Sequence, residues 1–202
     1  FWPRRLTPVF IDAAGKWFGD AANYSKHFLA RDVEPNKASG LRSSMVATFN
    51  TLELMIGQLP HEGAHPQTVR NTKELRGRMI HLLPVVDALD DALYALERRT
   101  PELVEKVTPL LDRAQQWLES TREGAPIEHW KALRHELEAL QPSAAALDDR
   151  RQLLLSNVLY RLGEWIDLWQ DCKSLQHAIT TGNQDVWRAV YRHWRLGRLT
   201  PF

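Results

Sequence analysis

Eight histidines are the first candidates for a metal or acid–base site. His129 and His135 lie six apart, which turns them onto different faces of a helix, and no His-Glu-x-x-His or Glu-x-x-His pairing is read as usable, so no metal is expected. His193, between Arg192 and Trp194, reads as a packing or interfacial residue and not as a base. Asp87, Asp90, Asp91 and Glu97 make an acidic patch, but a di-iron site needs a second acidic helix, so a solvated face is expected. Asp148 and Asp149 read as the first turn of a helix, favoured there by the helix dipole. There is no Gly-rich phosphate loop, no Gly-x-Ser-x-Gly elbow and no Cys–His arrangement, so neither a catalytic residue nor a cofactor is expected. The single cysteine, Cys172, excludes an intrachain disulfide and points to a reducing compartment, the cytoplasm.

Charge carries more information than these scattered groups. The 26 Lys+Arg and 25 Asp+Glu nearly cancel, yet residues 1–11 hold Arg4 and Arg5 with no acid. Residues 183–202 hold Arg188, Arg192, Arg195 and Arg198 against Asp185 alone, which leaves the middle of the chain acidic. Both basic ends also carry aromatics: Phe1, Trp2 and Phe10 at one, Trp187, Tyr191, Trp194 and Phe202 at the other. Basic residues mixed with indole and phenol rings suit the cytoplasmic boundary of a membrane, though the same pattern describes a terminal helix with a packed face and a solvated one. An arginine stripe at three-and-four spacing could equally meet phosphates, so a free-standing adaptor or nucleic-acid-associated protein with a basic C-terminal helix is the alternative. Overall neutrality and the lack of a helix-turn-helix weigh against nucleic acid. The sequence opens on Phe1-Trp2-Pro3 without Met, and a piece of a longer protein is expected.

With 44% hydrophobic and 25% charged residues the chain is an ordinary globular one, and no run of about 18 uncharged apolar residues would span a bilayer. Its periodicity is helical throughout. Val9, Phe10, Ala13, Ala14, Trp17, Ala21, Tyr24 and Phe28 predict a helix from about Thr7 to Arg31, broken before Pro35. Leu41, Met45, Phe49, Leu52, Ile56 and Leu59 predict a second from about Asn36, nearly a heptad seam, ended by the Pro60–Pro66 turn cluster. A third runs from about Gln67 to Arg99 with Pro84 expected to kink it. Thr100 then caps a fourth that opens on Pro101 and Glu102 and is closed by Gly124-Ala125-Pro126. A short fifth covers about Ile127–Leu140, a long sixth about Ala144–Thr180, and a last one about Gln184–Leu196. The fold class is all-α, an elongated antiparallel bundle of six to seven helices forming one domain over 1–202.

Phe1-Trp2-Pro3-Arg4-Arg5, Ser39-Gly40-Leu41-Arg42-Ser43-Ser44 and Tyr191-Arg192-His193-Trp194-Arg195, in that order, resemble stretches of the FUSC (fusaric acid resistance, aromatic acid exporter) family of bacterial inner-membrane proteins. Phe1-Trp2-Pro3-Arg4-Arg5 resembles the segment that follows a transmembrane helix. Ser39-Gly40-Leu41-Arg42-Ser43-Ser44 resembles the family's Leu-x-x-(Met/Leu)-Arg-Ser element, and Tyr191-Arg192-His193-Trp194-Arg195 the basic segment leading into the second membrane bundle. The resemblance implies a helical cytoplasmic domain of an inner-membrane efflux transporter for aromatic carboxylic acids, with 1–6 and 197–202 as membrane-proximal linkers. It implies as partners the transporter's own transmembrane bundles, an anionic membrane surface and a periplasmic adaptor, with no nucleic acid and a homo-oligomer as a further candidate. Trp2, Arg4, Arg5, Arg192, Trp194, Arg195 and Arg198 become the membrane-proximal residues. Arg42 becomes a candidate carboxylate contact, with a structural salt bridge as the alternative.

Two geometric expectations follow. If both ends enter one membrane face, Arg5 and Arg198 must share one end of the bundle. The seam Leu41, Met45, Phe49 and Leu52, with the stripe around Trp165 and Trp169, should leave exposed patches that pair domains.

Overall fold

A computed structural model describes residues 6–31, 34–141 and 146–182. They form six α-helices: α1 (Leu6–Leu29), α2 (Pro35–Gln58), α3 (Pro66–Arg99), α4 (Pro101–Ser120), α5 (Ile127–Ala139) and α6 (Asp149–Thr181), with a single 3-10 turn at Leu59–Glu62. The predicted last helix, Gln184–Leu196, lies outside the described residues.

Local chemistry sets the boundaries. Pro35 and Pro66 open α2 and α3 at positions where a missing N–H costs nothing. Gly63, at φ 72°, supplies the left-handed residue that closes the 3-10 turn. Asp148 caps α6 by accepting the Arg151 N–H at 3.1 Å, so it stands just outside the first turn in which Asp149 sits. Thr100 differs from expectation: its side chain makes no bond to α4, and its hydroxyl donates to the Leu96 carbonyl at 3.1 Å. One residue separates α3 from α4, and the hydroxyl is used by the helix that ends, not by the one that begins. α3 runs unbroken through Pro84.

The pairings fix the topology. α3 and α6 pack antiparallel, with Arg78 Nε 3.7 Å from the Asp171 carboxylate. α4 runs in the same direction as α6 across the bundle, its side chains reaching α6 at the Glu102–Arg151 pair (3.1 Å) and where Trp117 faces Trp165. α1 lies antiparallel on α6: the Trp165 indole N–H donates to Ser25 Oγ, while Phe18 meets Trp169 edge-on and carries the Lys173 ammonium over its ring. That register, continued at ~1.5 Å per residue on both helices, sets Gly182 level with the start of α1. The Leu6 N–H donates to the Glu62 carboxylate at 3.0 Å, which places the 3-10 turn at the same pole. With 33 residues, α6 is about 50 Å long.

The core is continuous and centred on α6, with Trp17, Trp165 and Trp169 each under 2% exposed. This corrects the expected exposed tryptophan stripe: α1 covers it, and both indole N–H groups find hydroxyl acceptors on neighbouring elements, Ser25 and Thr121. The α2 seam is corrected likewise, since Met45 and Leu52 are buried and Leu41 and Phe49 half-buried. Thr121 is buried, accepting from Trp169 at 2.9 Å and donating to the Leu118 carbonyl at 2.7 Å. Thr121→Val keeps the shape and orphans the indole, so urea denaturation will show a loss of about 1–3 kcal/mol.

Candidate functional site

Two places gather polar groups: a latch where the α1–α2 hairpin meets α3, and the pole shared by Leu6 and Gly182. In the latch, Asp87, Asp90 and Glu97 recur at three and seven residues, which keeps them on one side of α3. Arg42 Nη1 donates to both oxygens of Asp87 (2.9 and 2.8 Å) and to Tyr24 Oη (3.1 Å), whose hydroxyl donates in turn to Asp87 at 3.0 Å. Burial pushes the Tyr24 phenol above its ordinary value, with the Asp87 carboxylate adding to the rise and Arg42 opposing it. The bonds to Asp87 and Tyr24 hold the Arg42 guanidinium above its ordinary value.

Arg31 forms the second half. It follows α1 in the left-handed conformation (φ 55°), unusual for a residue with a side chain. Its Nε and Nη2 meet Glu97 in a two-point fork (2.6 and 2.9 Å), and Nη1 reaches Asp90 at 2.7 Å and the Phe28 carbonyl at 3.3 Å. Burial depresses this guanidinium, but the bonds to Glu97 and Asp90 outweigh it and raise it overall. The expected solvated acidic face is therefore corrected: Asp87, Asp90 and Glu97 are taken up by the hairpin, and Asp91 alone of the four is exposed. Arg31 was missed as a site residue. Its signal is positional, a cation at the end of a helix preceding a Pro-led turn, with acids repeating on a later helix.

Arg42 thus rests on a carboxylate of its own chain, and an outside carboxylate would have to compete with Asp87. Beside the latch, between the end of α1 and the α3–α4 hairpin, a cleft of about 80 Å³ has walls of Leu29, Leu93, Leu96, Val104, Val107 and Leu111. Small-molecule sites commonly hold about 300–1,000 Å³, and the Arg31 guanidinium at its rim is already held by two acids.

At the shared pole, His61-Glu62-Gly63-Ala64-His65 spells the His-Glu-x-x-His string, which the reading of the histidines passed over. Zinc chemistry needs both imidazoles on one helical face. Here the string crosses a 3-10 turn and a left-handed glycine, Glu62 is engaged by Leu6, and His65 Nδ1 accepts the Gln67 N–H at 3.2 Å as the cap of α3. Among the described residues no three His, Cys, Asp or Glu side chains converge as metal ligands. Cys172 is fully buried on α6, and burial raises its thiol far above the ordinary value. A disulfide reagent at pH 8 will leave it unreacted in the native chain and read one thiol only in denaturant; fast native reaction would mean that the α6 core opens. Trp2, Arg4, Arg5, Arg192, Trp194, Arg195 and Arg198 lie outside the described residues, as does the expected proximity of Arg5 and Arg198.

The described chain is an all-α bundle whose first and last helices meet at one pole. It belongs to the fusaric acid resistance protein family, whose model matches residues 1–200. Proteins of this family are membrane transporters, and the role of this chain is transporter-related. No curated protein and no solved structure matches it. Among the described residues no helix is long and apolar enough to cross a membrane.

Proposed function

We propose that the chain is a helical domain on the cytoplasmic side of an inner-membrane efflux transporter for aromatic carboxylic acids, acting as scaffold, pairing surface or gate and not as an enzyme. The observation that carries this reading is the common pole of Leu6 and Gly182. A domain inserted between two groups of membrane helices must receive and return the chain on one side, and a bundle with its described ends at one pole can do so. The basic aromatic stretches adjoin that pole in sequence: Trp2, Arg4 and Arg5 precede Leu6, and Arg192, Trp194, Arg195 and Arg198 follow Gly182. A periplasmic adaptor would be reached through the membrane part, and transport itself falls to the membrane helices.

The test is a competition between anionic vesicles and duplex DNA at matched salt. Each arginine near an anionic leaflet contributes roughly 1 kcal/mol, so Arg4, Arg5, Arg188, Arg192, Arg195 and Arg198 supply on the order of 5 kcal/mol, screened as salt rises. Vesicle binding that weakens in the Trp2→Ala, Trp194→Ala double variant is expected, because indole prefers the headgroup layer. Duplex binding indifferent to the tryptophans, without vesicle binding, would replace this reading with the nucleic-acid one.

A further inference from the structure

The cleft between the end of α1 and the α3–α4 hairpin is small, and its chemistry has a sign. Its floor is made by side chains of the core: Leu29, Leu93, Leu96, Val107 and Leu111 are each under 5% exposed. Its rim is polar and open, with Ala30, Thr108 and Asp112 exposed and Arg31 and Glu97 half-buried. A volume of about 80 Å³ is roughly half that of the ~150 Å³ cavity that takes up a whole benzene ring. It admits a branched alkyl group of about four carbons and leaves at the rim whatever that group is attached to.

Three features make this rim prefer a cation. Arg31 is the one cation in the lining, and it is held by Glu97 at 2.6 Å and Asp90 at 2.7 Å, so the three side chains together are negative. An incoming anion would have to displace one of those acids. Asp112 adds a further carboxylate, and among the described residues no cation or hydrogen-bond donor meets it. Thr108 stands one turn before Asp112 on α4, which sets both side chains on the same side of the helix. Its hydroxyl donates to the Val104 carbonyl at 2.9 Å, so its lone pairs are left to accept. The third feature is α1, whose C-terminal end Leu29 and Ala30 bring to the cleft. A helix C-terminus carries partial negative charge.

The geometry points to a binding site for a small primary aliphatic amine, its branched alkyl end seated on the Leu93–Leu111 floor and its ammonium at the rim with Thr108 Oγ and the Asp112 carboxylate as acceptors. The site is separate from the proposed transport. Its sign is opposite to that of an aromatic carboxylate, and it lies at the end of α1 away from the Leu6–Gly182 pole. A guest of this size buries one apolar end and makes one exposed ionic contact, so binding is weak, on the order of 1 mM.

The chain with ¹³C-labelled Leu and Val methyls, titrated at pH 7 with isopentylamine, isopentanol and isovalerate, tests it. The three share an isobutyl end and differ in the charge of the head. Isopentylamine should give saturable shifts at the methyls of Leu93, Val104, Val107 and Leu111, at a midpoint about 3–5-fold below that of isopentanol, the range an exposed ionic contact supplies. Isovalerate should bind more weakly than the alcohol. Asp112→Asn should bring the amine to the midpoint of the alcohol. Ala30→Leu, which adds bulk at the exposed rim, should abolish both while the rest of the methyl spectrum stays native. Equal midpoints for the three heads, or isovalerate the tightest, would overturn the cation preference. Amine shifts that never saturate below ~50 mM, that fall on other methyls, or that ignore Ala30→Leu would overturn the site.

Discussion

Trp165→Ala will cost the domain about 3–5 kcal/mol, a large share of the ~5–15 kcal/mol that holds a typical domain together. Trp165 is fully buried, edge-on to Trp117 (centroids 5.8 Å apart, planes at 84°) and stacked on Trp169 (6.1 Å, 29°). Its indole N–H reaches Ser25 Oγ at 3.3 Å, tying α6 to α1 across the whole sequence. Alanine removes the ring from a site bounded by α1, α4 and α6 at once, so no single helix can shift to fill the space, and Ser25 is left buried without this donor. Trp165→Phe separates the two effects, since it keeps most of the packing and loses the hydrogen bond alone. Urea midpoints at constant slope give the values. A Trp165→Ala loss below about 1 kcal/mol would mean that α1 does not lie on α6 as described.

Helix existence was legible because a solvated bundle imposes the 3.6-residue period on every element, and proline or glycine at each junction marks the ends. Side-chain partnership was not legible, because it depends on which helix lies across the way. The heptad-like set Leu41, Met45, Phe49 and Leu52 shows that α2 has an apolar side, but not that α1 already occupies it. Trp165 and Trp169 read as surplus apolar surface until Ser25 and Thr121, distant in sequence, supply acceptors for their N–H groups. Asp87, Asp90 and Glu97 look like a solvated face when α3 is considered alone. They become a latch only when Arg31 and Arg42 arrive from another hairpin. His61-Glu62-Gly63-Ala64-His65 fails in the opposite sense: the letters of a zinc motif are present, but Pro60, Gly63 and Pro66 make a turn of the backbone that the motif needs as a helix. The Arg42 element that carries the family resemblance marks α2 correctly, while the tertiary partner of its arginine is Asp87.

Arg31→Ala will cost about 2–3 kcal/mol, short of the ~3–5 of a fully buried pair because the three side chains keep a quarter to a third of their exposure. Two effects of different origin meet at this position. Removing the guanidinium leaves Asp90 and Glu97, less than two turns apart on α3, facing the hairpin without their cation, which is the source of the loss. The left-handed φ of 55° is strained with or without the charge, and only glycine relieves it. Arg31→Gly should therefore recover about 1 kcal/mol relative to Arg31→Ala while still lacking the ion pairs. Arg31→Ala combined with Asp90→Asn and Glu97→Gln should recover a further share, because the carboxylates no longer lie uncompensated. Hydrogen exchange locates the effect: amides near Phe28–Leu29 and at the start of α2 should lose protection in Arg31→Ala, while those around Trp169 on α6 keep theirs. If Arg31→Ala, which keeps the same backbone strain, proves as stable as the parent chain, the fork to Glu97 and the bond to Asp90 contribute nothing net. The hairpin would then be held by the packing of α1 and α2 and by the Arg42–Asp87 half of the latch, and the Arg31 half would be a consequence of the fold and not one of its fastenings.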